Sequence, residues 1–185
     1  MYTAKVLPAD FETSGQLVYA LVSNLQQEEI KPLLQKYGLA EVNVNQWYRT
    51  RDIVALFAEM AQRPNFSNNF VAVGMAAANL LIQILPPEIQ AMSLEQILMA
   101  EEELIYANYR NPSPGFIRVT KVDDNTYYHD SQTVWPDELN YGFVYSFVRH
   151  FCPKAKRFTV RMADDMPGQD DGGEFLRIKI ALSSK

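Results

Sequence analysis

The sequence predicts an α+β fold, with N-terminal helices packed on one face of a C-terminal antiparallel sheet of about four strands and one helix inserted in the sheet half. Three observations carry this. From Thr13 to about Tyr109 the apolar residues recur at helical spacing. From Gly115 onward they mostly alternate, as in strands with one wet face. One stretch, PDELNYGFVYSFVRHF, breaks that alternation with Leu139, Phe143, Phe147 and Phe151 four residues apart, the stripe of an amphipathic helix. A chain of 185 residues with 48% apolar content suffices for one core, so residues 1–185 are expected to form a single domain, helical over about 10–112 and sheet over about 115–183.

Local signals place the elements. Thr13 with Gln16, and Ser93 with Gln96, match the reciprocal cap of a helix start. Thr50 or Asp52 is expected to cap IVALFAEMA, and Ser67 the apolar helix that follows. Pro32 is expected to divide the first helical region, Gly38 to stop it, and Pro86-Pro87 to end the apolar helix. Gly74, Ala76, Ala77 and Ala78 leave one side of that helix bare, open to another backbone or to a ligand. In the sheet half, Ile117 and Val119 oppose Arg118 and Thr120, and Asp123-Asp124-Asn125 supplies a hairpin turn. RFTVRMA and EFLRIKIAL read as two closing strands; in the second, Leu176, Ile178, Ile180 and Leu182 share a face opposite Arg177 and Lys179.

Composition and motifs exclude more than they assign. A formal net charge of −5 argues against nucleic acid and anionic membranes as partners. A single cysteine and an N-terminus without a basic and apolar leader point to a cytoplasmic protein. The longest apolar run, Phe70 to Leu85, contains Asn79 and Gln83 and is too short for a membrane span. His150 and Cys152 lie two apart on a helix, about 200° around its axis, so they do not share a metal or a proton. His129 stands alone among carboxylates, so no metal site is expected. DDMPGQDDGGE lacks the ligand spacing of a calcium loop and reads as a solvated bend. Glu101, Glu102 and Glu103 fan around a helix, and Lys154, Lys156 and Arg157 are too few for a nucleic-acid groove. No catalytic residue is assigned. An enzymatic reading would need a pair assembled by the fold, such as His129 and a distant acid.

The order of elements from Gln46 to Leu182 resembles the superfamily that joins haem-nitric-oxide-binding domains, bacterial vinyl-reductase-type sensor domains and Golgi transport-particle subunits. The pieces are QWYRTRDIVALFAEM as an aromatic-led helix, VGMAAANLL as a glycine-bearing helix, SLEQILMAEEELIYANY as the long helix before the sheet, and YGFVYSFVRHF with GGEFLRIKIAL as the closing unit. The resemblance implies helices and sheet around an apolar cavity, used for small-molecule sensing or for dimerisation and docking, in a bacterial protein. It also implies where this chain departs. Haem-binding relatives carry a proximal histidine on the long helix, where this sequence has Glu102, give or take one residue, and a carboxylate replaces imidazole poorly on haem iron. Their Tyr-x-Ser-x-Arg motif has no counterpart, because no arginine occurs between Arg118 and Arg149. The cysteines of some vinyl-reductase-type sensors are missing from the closing strands. Haem and metal are therefore not expected as cofactors.

Two functional expectations follow. The first is a sensory domain for an apolar or aromatic small molecule, with Trp47, Phe70, Tyr106, Tyr109, Phe143 and Phe147 lining the cavity, signalling as a homodimer or to a partner protein. The second is a non-enzymatic interaction or dimerisation module with a filled core, docking through a helix face around Trp47-Tyr48.

Overall fold

The computed structural model describes residues 2–25, 28–63, 67–112 and 115–184, with the backbone alone at 67 and 68. In chain order the elements are β1 (Glu12–Ser14), α1 (Gly15–Val22), α2 (Lys31–Lys36), β2 (Trp47–Arg49), α3 (Thr50–Ala61), α4 (Ser67–Ile84), α5 (Pro87–Gln90), α6 (Leu94–Tyr106), β3 (Tyr109–Arg110), β4 (Phe116–Asp123), β5 (Thr126–Gln132), α7 (Asp137–Phe151), β6 (Lys156–Met162) and β7 (Leu176–Ser184). The four-stranded antiparallel sheet runs β4-β5-β7-β6, with α7 inserted between β5 and β6 as the alternation required. Its inner face, Tyr127, His129, Ile178, Ile180 and Val160, is buried beneath the helices. Among the described residues no helix is long and apolar enough to cross a membrane.

A second sheet, β2-β1-β3, ties the helical part together and corrects the reading of that part as helical throughout. It moves two caps. Thr13 lies in β1, and the hydroxyl that accepts from the first turn of α1 belongs to Ser14, at 3.2 Å from the Leu17 N–H. Helix α3 begins at Thr50 with no side-chain cap; the Thr50 hydroxyl instead meets that of Thr13 at 2.8 Å, locking β1 to the start of α3. The side chain of Ser67, expected as a cap, lies outside the described residues. Ser93 and Gln96 form the reciprocal cap of α6, and Gly38, at φ 68°, closes α2, where Pro32 sits in the first turn. The chain divides upstream of that proline.

The bare side of α4 is occupied by α7. A Cβ on Gly74 would lie 2.0 Å from the Leu139 carbonyl oxygen, and one on Gly142 would lie 2.1 Å from that of Val71. The two helices cross backbone to backbone, with a glycine on each side. This fixes α7 over the sheet and sends its phenylalanines inward, with Phe143 and Phe147 stacked at 4.8 Å.

Candidate functional site

Helix α6 carries Leu94, Ile97, Leu98, Glu101 and Ile105 along one side, and the carboxylate among them is buried with the aliphatic residues. Strand β5 turns Tyr127, His129 and Ser131 to its inner face, all buried. The two elements bring Glu101 Oε1 to 3.2 Å from His129 Nε2. With the imidazole protonated the contact is a buried ion pair. Burial disfavours an imidazolium here, but the Glu101 charge and contact outweigh it and hold the His129 pKa above the usual imidazole value.

Beside this pair lies a cavity of about 40 Å³, walled by Glu101, His129, Ser131, Tyr109, Trp135 and Phe143, with Thr133, Asn140 and aliphatic side chains closing the rest. Glu101 Oε2, both His129 ring nitrogens and Ser131 Oγ have no hydrogen-bond partner among the described residues. An unpaired buried polar group costs about 1–3 kcal/mol, and proteins tolerate few of them. Three such side chains around one cavity therefore form a site with unmet demand for donors and acceptors. At the cavity edge, Trp135 Nε1 donates to Tyr109 Oη at 2.8 Å. Burial pushes the Tyr109 phenol far above its ordinary pKa, so it remains protonated and keeps its own O–H to donate.

Two of the six aromatics singled out in the sequence, Tyr109 and Phe143, reach this cavity. The other four lie elsewhere. Phe70 packs edge-on against Phe57 and Tyr2, Tyr106 lies edge-on to Tyr109 away from the wall, and Phe147 bridges Phe143 and Phe151. Trp47 is in strand β2, not on a helix face, with the Arg110 guanidinium 4.0 Å above its ring, and the Tyr48 hydroxyl accepts the Asn43 N–H. Glu102 is exposed and accepts from the Ile117 N–H, so the acid of α6 that faces inward is Glu101. His129, alone among carboxylates in the sequence, acquires one through the fold.

A larger groove of about 440 Å³ opens at the N-terminal end of α7, between Tyr2, Phe70, Asp137, Met166, Asp170 and Leu176. Two of its acids, Asp137 and Asp170, are bound to each other's backbone. The Asp137 N–H donates to Asp170 Oδ2 at 2.9 Å, and the Asp170 N–H donates to Asp137 Oδ2 at 3.0 Å. The loop expected to be a solvated bend thus caps α7. Partial burial raises both carboxyl pKa values, that of Asp170 to about 6. Lys5 bonds the Thr133 carbonyl and Gln169, and Tyr2 bonds the Val134 carbonyl, which ties the N-terminal segment to the chain after β5. The smaller cavity, where polar atoms are unpaired, is the better candidate. His150 is exposed, Cys152 ends α7, and among the described residues no group of three or more His, Cys, Asp or Glu could hold a metal.

No protein-family model and no curated protein matches the sequence. Solved structures do match the fold. An H-NOX protein from S. oneidensis, solved in its Fe(II)NO ligation state, superposes with a TM-score of 0.69 at 16% identity, over 92% of this chain and 99% of that one. An oxygen-binding H-NOX domain related to soluble guanylate cyclases gives 0.64 at 14% identity, over 92% and 93%. A point mutant of T. tengcongensis H-NOX gives 0.65 at 14% identity, over 92% and 95%. The architecture is that of the H-NOX fold.

Proposed function

We propose that this protein is a sensory domain of the H-NOX fold that holds a small protic molecule, not haem, between its helices and its sheet, with Glu101 and His129 as the recognition pair. The observation that carries this reading is the cluster of unpaired buried atoms, Glu101 Oε2, His129 Nδ1 and Ser131 Oγ, around one cavity. Such groups are normally satisfied by a bound molecule or by ordered water. Acceptor, imidazole and hydroxyl together suit a ligand that both donates and accepts, which narrows the apolar or aromatic ligand expected from sequence.

Haem does not fit these residues. The space of about 40 Å³ is far below the roughly 300–1,000 Å³ of an ordinary ligand pocket. The inward group on α6 is a carboxylate already facing His129, and no arginine lies between Arg118 and Arg149. Signalling through a homodimer or a partner protein in a bacterial cytoplasm belongs to the same reading. The small cavity volume is also the one observation that favours the alternative, an interaction module with a filled core.

Native mass spectrometry of the purified protein and of a Glu101→Gln/His129→Gln variant separates the two. A reproducible small adduct present in the former and missing from the latter supports the sensor. Absence of an adduct from both proteins favours the interaction module.

A further inference from the structure

Strand register collects the charges of the sheet on its outer face. One cross-strand row is Arg118, Asp130 and Arg177; the next is Thr120, Tyr128, Lys179 and Arg161; Arg157 stands opposite Ser183 beyond them. The face therefore carries five cations and one acid, and that acid is committed to Arg177 through two bonds of 2.7 Å. The chain as a whole has 22 acidic and 17 basic side chains, so this face has the sign opposite to the molecule. A solvated sheet face needs polar side chains but not a single sign of charge. Arg118, Arg157, Arg161 and Lys179 are exposed, and none of them is held in an ion pair among the described residues.

Two of the five cations lie over aromatic rings. Arg118 lies 5.0 Å from the Phe116 ring, and Arg177 lies 4.9 Å from Tyr128 and 5.5 Å from Phe175. The contact on Phe116 restrains the Arg118 side chain and lowers the entropy lost when it binds a carboxylate. A groove of about 430 Å³ runs over Tyr128, Arg161 and Lys179 and ends at Asp164 and Asp165. Asp123 and Asp124, at the β4–β5 turn, close another corner.

We infer that the outer face of this sheet is a docking surface for an acidic segment of a partner protein. Complementary charge argues for an anionic occupant. The bounding acids argue for a short one, because a nucleic-acid backbone continuing past the face would meet Asp164 and Asp165. The inference stands apart from the cavity, which opens on the other side of the sheet.

The test is fluorescence anisotropy with a labelled oligoglutamate peptide and a labelled oligouridylate. It compares the native protein, Arg161→Gln/Lys179→Gln on the sheet, and Arg49→Gln/Arg51→Gln as a control that removes equal charge from exposed positions elsewhere. The expected result is saturable peptide binding that weakens about tenfold in the sheet variant, is unchanged in the control and falls as salt rises. No saturable binding, equal loss in both variants, or tighter binding of the oligouridylate overturns the inference.

Discussion

Glu101 Oε1 lies 3.2 Å from His129 Nε2, with both side chains almost fully buried between helix α6 and strand β5. In a low-dielectric interior such a pair strongly links protonation to folding. The folded-state pKa of His129 is raised, so its contribution to stability is complete below the unfolded imidazole value and is lost as pH rises through the folded value. Urea unfolding is expected to show stability falling as pH increases above about 6.5. Glu101→Gln should cost about 3 kcal/mol below that pH and flatten this part of the profile. An unaltered slope in the variant would mean that the pair is not coupled.

Ser131→Ala separates structural from ligand-binding roles at the same cavity. The hydroxyl has no partner among the described residues, so its removal should not destabilise ligand-free protein and should stabilise it by up to about 1–3 kcal/mol. Any adduct seen by native mass spectrometry should nevertheless weaken. A large stability loss with the adduct unchanged would make Ser131 a structural residue.

At the N-terminus of α7, Asp170 accepts the Asp137 N–H while facing the Asp137 carboxylate. Its pKa is raised from 3.8 to about 6, so the folded state loses stability as pH rises between those values. Asp170→Asn keeps an acceptor for the Asp137 N–H and removes the charge. After discounting for solvent screening, it should stabilise the protein by about 1 kcal/mol at neutral pH, with no gain near pH 4. Thermal melts at the two pH values measure this. Destabilisation at neutral pH would show that the carboxylate is needed ionised.

The crossing of α4 and α7 should be intolerant of a single methyl group. Gly142→Ala places a Cβ 2.1 Å from the Val71 carbonyl oxygen, and backbone cannot yield as a flexible side chain does. A loss of about 1–3 kcal/mol in urea unfolding is expected, together with a change in the environment of the Phe143–Phe147 stack visible in near-ultraviolet circular dichroism. A stability equal to the native protein's would show that the helices can separate at little cost.

The elements legible in the sequence are those whose signals are local. The Ser93–Gln96 cap, the Gly38 stop, the phenylalanine stripe of α7 and the alternation of β7 each depend on residues within a turn or two. The small sheet escaped because its strands have only two or three residues, too few for a period to register. The site was half legible. Glu101 continues the stripe of Leu94, Ile97 and Leu98, and His129 continues an inward face with Tyr127 and Ser131, so each could be marked as a polar group on a buried face. Their meeting depends on how α6 lies across β5, and no spacing in the chain encodes it. The sequence reading of Glu102, give or take one residue, spans Glu101 as well, and one position on a helix is 100°, which here separates a buried carboxylate from an exposed one.

The most direct test of the central claim is a haem titration of the purified protein followed by absorbance between the ultraviolet and visible bands, with native mass spectrometry of the same samples. The expected outcome is a spectrum that is the sum of free haem and protein, no haem-mass adduct, and no change on adding nitric oxide. A stoichiometric haem complex with a sharpened Soret band that shifts with nitric oxide would contradict it, and would mean that the Glu101–His129 pair opens to admit the cofactor.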